Sequence, residues 1–213
     1  DYLGARREHF RVLIRQIGAL LALEAIAATL LLVLGGALTA IPLICFAYAV
    51  RRVPLTIIGA AILWFGWLGF NAGSQLAADG VAALAFVNTL AAPVGAMLSW
   101  ITYEKLAHGK PTSIGAASGA VAGLVAITPS CAYLEPIWAL LLGVIVGVVC
   151  ALAIELKFVL GFDDSLDVVG IHLVGGIVGT LFIGVFGRGV GFAFGYSFDQ
   201  VVAQLIGVLA VGI

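Results

Sequence analysis

Apolar residues run along this chain in blocks too continuous for alternating strands. Between Ile17 and Val50 nearly every position is apolar, with Glu24 the one charge. Later blocks cover about 54–74, 81–106, 112–131, 134–157 and 167–187, and another begins near 199. Each approaches the roughly 20 residues that carry a helix across a bilayer. A transmembrane barrel would show short alternating segments instead. The pattern therefore predicts an all-α, polytopic transmembrane bundle. The first block is too long for one ordinary span, and Gly35-Gly36 and Pro42 offer a break inside it. It reads as a helical hairpin, about 17–35 and 38–50, within an N-terminal segment 1–52 that stands apart from a membrane domain over 53–213.

Composition sharpens the class. Of 213 residues, 63% are hydrophobic and only 10% charged, with a mean hydropathy of +1.21. Soluble domains carry about 25% charged residues. The net charge is −1, and no basic tract suggests a nucleic-acid partner. Cys45, Cys131 and Cys150 lie in or beside apolar blocks without metal-ligand spacing, so they read as packing residues. His9 and His108 fall near membrane surfaces, and no set of ligands predicts a metal or other cofactor. The chain starts without Met and stops inside an apolar block, so its last span reads as incomplete.

The ten basic residues give an orientation. Arg6, Arg7, Arg11 and Arg15 precede the first block, and Arg51 and Arg52 follow it. Lys105 and Lys110 lie between the 81–106 and 112–131 blocks, Lys157 after 134–157, and Arg188 after 167–187. With 17–50 as a hairpin, every one except Arg188 falls on one side, which the positive-inside rule makes cytoplasmic. That side also holds Asp163, Asp164 and Asp167, at a helix start where carboxylates meet unpaired N–H groups. Glycines spaced by four, such as Gly115, Gly119 and Gly123, Gly143 and Gly147, and Gly175 and Gly179, follow the small-residue pattern that lets membrane helices approach closely. They serve a tight bundle around a narrow path, or helix packing alone.

Few residues could carry chemistry. His172 stands five residues after Asp167 in an apolar, glycine-rich segment, about 7.5 Å along a helix. It reads either as a histidine bonded to a neighbouring helix or as part of a polar path, where intramembrane ionisable groups usually face. Desolvation at depth favours the neutral imidazole, which offers one donor and one acceptor. The stretch WFGWLGFNAGS supplies Trp64, Trp67 and Phe70, followed by Asn71 and Ser74. Aromatic faces attract cations and a hydroxyl accepts a bond from an ammonium-type ion; the other reading is an interfacial aromatic belt. Thr128-Pro129 frees a backbone carbonyl that must find a partner or line a cavity. Asp79 and Glu135 read as solvated loop charges.

The segments WFGWLGFNAGS, ALAFVNTLAAPVGAMLSW, GKPTSIGAASGAVAGLVAITPSCAY and DDSLDVVGIHLVGGIVGT together resemble the second half of the ammonium transporter (Amt/Mep/Rh) family, from about Val53 onward. The resemblance implies helices in two inverted halves, homo-trimers in the cell membrane, and a PII-type regulator for many members. It implies recruitment of ammonium by aromatic rings and a serine, deprotonation, and passage through a phenylalanine gate into an apolar pore with two histidines. By motif Ser74 matches the vestibule serine, Phe70 a gate phenylalanine and Trp67 a pore aromatic. His172 matches the second-half histidine, Asp167 the carboxylate starting its helix, and Thr128 a threonine near the pore. Residues 1–52 show no resemblance and supply no partner histidine. One half of an inverted repeat forms one wall of a midplane site, so the chain alone is expected not to enclose the path.

Two other readings remain. One is a structural or regulatory membrane subunit, or a remnant, that keeps the packing pattern without transport. The other, an intramembrane hydrolase using Asp163, Asp164 and Asp167, ranks last because such chemistry needs carboxylates from facing helices at membrane depth. The hairpin carries its own prediction. Single cysteines at Arg7 and Arg52, in a Cys-free background, should both resist an impermeant thiol reagent added outside. Labelling of one and protection of the other would mean that 17–50 crosses an odd number of times.

Overall fold

The computed structural model describes residues 54–212; the hairpin of 17–50, Cys45 and His9 lie outside the described residues. Six α-helices follow in order: α1 (Leu55–Gly73), α2 (Gly80–His108), α3 (Ser113–Ile127), α4 (Pro136–Leu160), α5 (Val174–Phe186) and α6 (Asp199–Gly212). A π-helix, Val168–Leu173, runs directly into α5, and a short 3-10 turn, Phe192–Phe194, precedes α6. Among the described residues, four helices are long and apolar enough to cross a membrane: α1, α2, α4 and the joined π-helix and α5. The all-helical, multi-pass architecture expected from hydropathy is therefore the one observed.

Local chemistry sets the ends of these helices. Asp79 is no idle loop charge: its carboxylate accepts from the N–H groups of Val81 and Ala82 and caps α2. The Ala82 N–H, the Gln75 amide and the Val81 N–H hold the Asp79 carboxyl below its ordinary value. Thr112 caps α3 through Gly115, and the Glu104 carboxylate accepts from the Thr112 N–H at 2.7 Å and hydroxyl at 2.9 Å. Gly109 and Gly161, at φ 84° and 70°, end α2 and α4 in the left-handed region that glycine enters without a Cβ penalty. The span expected over 112–131 stops as a helix at Ile127. Pro129 has no N–H to continue it, and the Val125 carbonyl so freed accepts from the Thr128 N–H at 3.3 Å.

Small residues decide the packing. A Cβ on Gly119 would lie 2.9 Å from the Ala96 carbonyl oxygen, and one on Gly123 would lie 2.6 Å from the Pro93 Cα. Gly143 and Gly147 of α4 meet the same Ala92 and Ala96 of α2. Rising numbers on α3 pair with falling numbers on α2, so these two are antiparallel, whereas α4 runs parallel to α2. Gly175 and Gly179 of α5 meet α3 at Ala122 and Ala126, again parallel. The helices thus alternate in direction. Lys105, Lys110 and Lys157 share one end of the bundle with the three aspartates, and Arg188 is at the other, where its N–H donates to the Tyr133 carbonyl at 2.7 Å. That is the sorting the basic residues imply, within the described residues.

The core is correspondingly fine-grained. Ala92, Ala96, Ala122, Ala126 and Ala139 are fully buried, with Leu124, Leu142 and Val146 filling between them. Cys131 and Cys150 are buried among these residues, the packing role expected of them. Replacing Gly123 by Ala should therefore lower unfolding stability by about 1–3 kcal/mol, the range for overpacking a tight core. Gly176→Ala, where nothing lies within 4 Å of the added methyl, should change little. Thermal unfolding in detergent compares the two, and an unaltered Gly123→Ala midpoint would show that α2 and α3 have room to part.

Candidate functional site

The residues that the sequence singles out fall into two groups, at opposite ends of the bundle. The first is built on α1. Trp64, Trp67 and Asn71 recur at helical spacing, so one stripe faces the neighbouring helices. All three donate into the bundle. Pro93 cannot donate to the carbonyl four residues earlier, that of Thr89. Trp64 Nε1 donates to that oxygen at 3.2 Å. Asn71 Nδ2 donates to Thr89 Oγ1 at 3.0 Å, and this hydroxyl donates to the Ala85 carbonyl at 2.6 Å. Trp67 Nε1 donates to Thr128 Oγ1 at 2.7 Å, and Thr128 Oγ1 donates to the Leu124 carbonyl at 2.8 Å. With Thr89 and Asn71 both buried, these bonds satisfy groups that would be costly alone.

On its outer side α1 presents an apolar groove of about 440 Å³ lined by Gly59, Ile62, Leu63, Gly66, Trp67 and Phe70. Trp67 and Phe70 meet edge to face, 5.9 Å apart at 61°, a favoured aromatic geometry. Phe70 is 61% exposed. Ser74, also exposed, turns its hydroxyl back onto the Phe70 carbonyl at 2.5 Å. Thus Trp67, Phe70 and Ser74 cluster at one end of α1, while Asn71 and Thr128 act as its anchors to α2 and α3.

The second group is at the other end. His172 lies in the π-helix and is exposed, while its neighbours Gly170 and Ile171 are buried against α4. Ile171 and Gly170 meet Cys150 and Ile154 of α4. Asp164 holds the start of this segment: its carboxylate accepts from the N–H groups of Val168 at 2.8 Å, Val169 at 2.9 Å and Gly170 at 3.4 Å. Asp167 instead pairs with Lys157, and Asp163 is exposed. The structure brings Trp67, Phe70, Ser74, Asn71 and Thr128 together; Asp167 and His172 lie apart from them, before and within the π-helix.

Sequence reasoning missed three participants. Thr89 was legible through Pro93, four residues on. Asn88, fully buried, donates to the Cys131 and Leu134 carbonyls at 2.8 and 2.7 Å and so fixes the α3–α4 turn beside Thr128. Lys157 served only as a marker of sidedness, yet its side chain is 14% exposed and bonded.

Apolar helices packed through glycine, with an imidazole and an aromatic groove set at different depths, define a multi-pass membrane protein. The family comparison is specific: the Ammonium Transporter Family model matches residues 14–213, and the chain belongs to that family. The match begins ahead of Val53, where the motif resemblance starts. An ammonium transporter of Mycobacterium tuberculosis is 52% identical over 173 residues, covering 76% of this chain and 36% of that protein. One from Aquifex aeolicus is 48% identical over 166 residues, covering 75% and 39%. Among solved structures, Candida albicans Mep2 matches with a TM-score of 0.69 and 33% identity, over 73% of this chain and 36% of its own. The chain therefore spans somewhat over a third of these relatives' length.

The anchoring of α1 is open to test. Thr128→Val keeps the shape but leaves Trp67 Nε1 unpaired, which should cost about 1–3 kcal/mol, whereas Thr128→Ser keeps the hydroxyl. Unfolding midpoints in detergent should fall for valine and largely recover for serine. Equal midpoints for wild type and Thr128→Val would mean that this bond contributes nothing to holding α1.

Proposed function

We propose that this chain forms one wall of a path for ammonium or ammonia across the cell membrane. Family membership carries the reading, and the two clusters support it with suitable chemistry. Trp67 and Phe70 offer π faces to a cation at the outer end, and Ser74 adds a hydroxyl acceptor. Phe70, largely exposed beside the groove, is the gate. Apolar walls beyond it disfavour the charged form, so ammonium gives its proton to water at the outer mouth and enters as ammonia. His172, at the other end of the bundle from this cluster, meets the neutral molecule through its ring nitrogens. Asn71 and Thr128 set the angle of the aromatic pair, and Asp167 stands at the inner mouth. No bond of the substrate is made or broken apart from its proton transfer, so the role is transport and not enzymatic.

The groove on α1 is the face that a complementary half closes, and the chain by itself conducts no ammonia. A homo-trimer and a PII-type regulator go with this reading. A second reading, a regulatory membrane subunit, draws on one likeness: a solved protein named Sensor Amt Protein shares the fold at TM-score 0.67 and 31% identity, over 72% of this chain and 38% of that one.

The test is methylammonium uptake by cells lacking their own transporters. The host expresses an M. tuberculosis relative whose matching segment is replaced by residues 54–212, with membrane abundance measured in parallel. Uptake should be restored by the chimera and abolished or altered in selectivity by His172→Ala at unchanged abundance. Normal uptake and selectivity with His172→Ala would make the imidazole a packing residue. No uptake by a well-assembled chimera would favour the regulatory reading.

A further inference from the structure

We propose that Lys157 is a positioning residue for His172, acting through the π-helix that carries the imidazole. The inference rests on the reading of His172 as a pathway residue. Lys157 lies three residues before the end of α4, at the level where the chain turns back. A lysine only 14% exposed needs partners for its ammonium. It donates to the Asp164 carbonyl at 2.9 Å and pairs with the Asp167 carboxylate, while its charge lies 5.2 Å from the Phe158 ring centre.

Both of these partners begin the segment that holds His172. The Asp164 carboxylate takes the N–H groups of residues 168 to 170. Asp167 has φ 55° and ψ 30°, a left-handed conformation unfavourable for a residue with a Cβ, and its carbonyl accepts from the Ile171 N–H at 2.9 Å. Such a conformation persists where its surroundings over-determine it, and here Lys157 holds the side chain of Asp167 and the backbone of Asp164 at once. Gly170, within the segment, is pressed against Ile154, and the far side is fixed by Gly179 against Ala126.

Between these two clamps the backbone is wound as a π-helix, and the Val174 N–H reaches the Val169 carbonyl five residues back. A π turn accommodates one residue more than an α turn, and such bulges recur at functional sites. Taking out that residue's worth of winding would rotate the side chains on one flank against the other by about 100°. His172 lies inside this turn. Lys157 therefore holds the inner clamp in the register that leaves the imidazole exposed, without touching the permeant molecule.

The experiment reads the direction of position 172 directly. In the same chimera, with Cys131 and Cys150 and the host's native cysteines replaced, His172→Cys is labelled in isolated membranes with a small thiol reagent. Lys157→Met should slow the labelling severalfold, because position 172 leaves its exposed setting. Lys157→Arg should bring it back towards the parent rate, and Asp163→Asn should leave it unchanged. Should Lys157→Met fail to accumulate, Asp167→Gly replaces it. Glycine suits the left-handed backbone, so this variant removes the carboxylate without the fold penalty and must show the same change. An unchanged labelling rate in the variant that accumulates overturns the proposal. In the chimera that retains His172, Lys157→Met should lower the maximal uptake of methylammonium and leave half-saturation near the parent value. Altered labelling together with normal uptake in His172→Ala would leave the positioning role standing and remove His172 from the pathway, so the two failures are distinct.

Discussion

Everything in this bundle hangs on how closely α2 lets its neighbours approach. Lipid gives no hydrophobic drive for one apolar helix to join another, so association depends on van der Waals packing between backbones. Ala92, Pro93 and Ala96 present a nearly flat surface, and Gly119, Gly123, Gly143 and Gly147 bring α3 and α4 onto it. That surface includes a proline, and the proline has a consequence one turn away. The Thr89 carbonyl loses its helical donor and takes the indole of Trp64 instead. The same feature that permits close packing thus creates the docking point for α1.

The two ends of the bundle are held by different chemistry. At the α1 end the anchors are neutral: indole, amide and hydroxyl groups, with Asn71, Asn88 and Thr89 buried. Neutral groups pay less than charges for leaving water. At the other end the anchors are ionic. Glu104 ties the α2–α3 turn, and Glu155 accepts from the Tyr103 hydroxyl at 3.0 Å and meets His108 Nε2 at 2.9 Å. Lys157 joins Asp164 and Asp167. His108 and Glu155 are about half exposed, so these charges keep contact with water and the bundle need not bury an unpaired ion.

Hydropathy made the spans legible because a helix in lipid must be apolar along its whole length, whatever its partners. Sidedness was legible from a handful of lysines and arginines for an equally local reason. Glycine spacing correctly indicated close contacts at Gly119, Gly123, Gly143, Gly147 and Gly179. His172, Trp67, Phe70 and Ser74 came from motifs, whose residue identities survive in sequence. What sequence did not show depends on two distant clamps at once. The π turn of 168–173 has no composition of its own; it arises where Asp164, Asp167 and Gly170 are held from α4 while Gly179 is pressed against Ala126 of α3. Asn71 and Thr128 were legible as polar residues at the ends of apolar blocks. Their roles as anchors required knowing that Thr89 and Trp67 stand opposite them.

The way α1 is attached bears on what it can do. It buries only Asn71 within the described bundle, and its apolar window is 6% buried against 39% for the other three spans. A helix held mainly by area could not leave such a face open. This one is held instead by three directional bonds from Trp64, Trp67 and Asn71, each contributing about 1 kcal/mol or less in a membrane. They occupy one stripe and leave the stripe bearing Leu63, Gly66 and Phe70 free. Trp67 belongs to both: its Nε1 is fixed on Thr128 while its ring lines the groove and meets Phe70 edge-on. The aromatic pair is therefore oriented by a hydrogen bond behind it and not by packing in front of it, which leaves its front exposed.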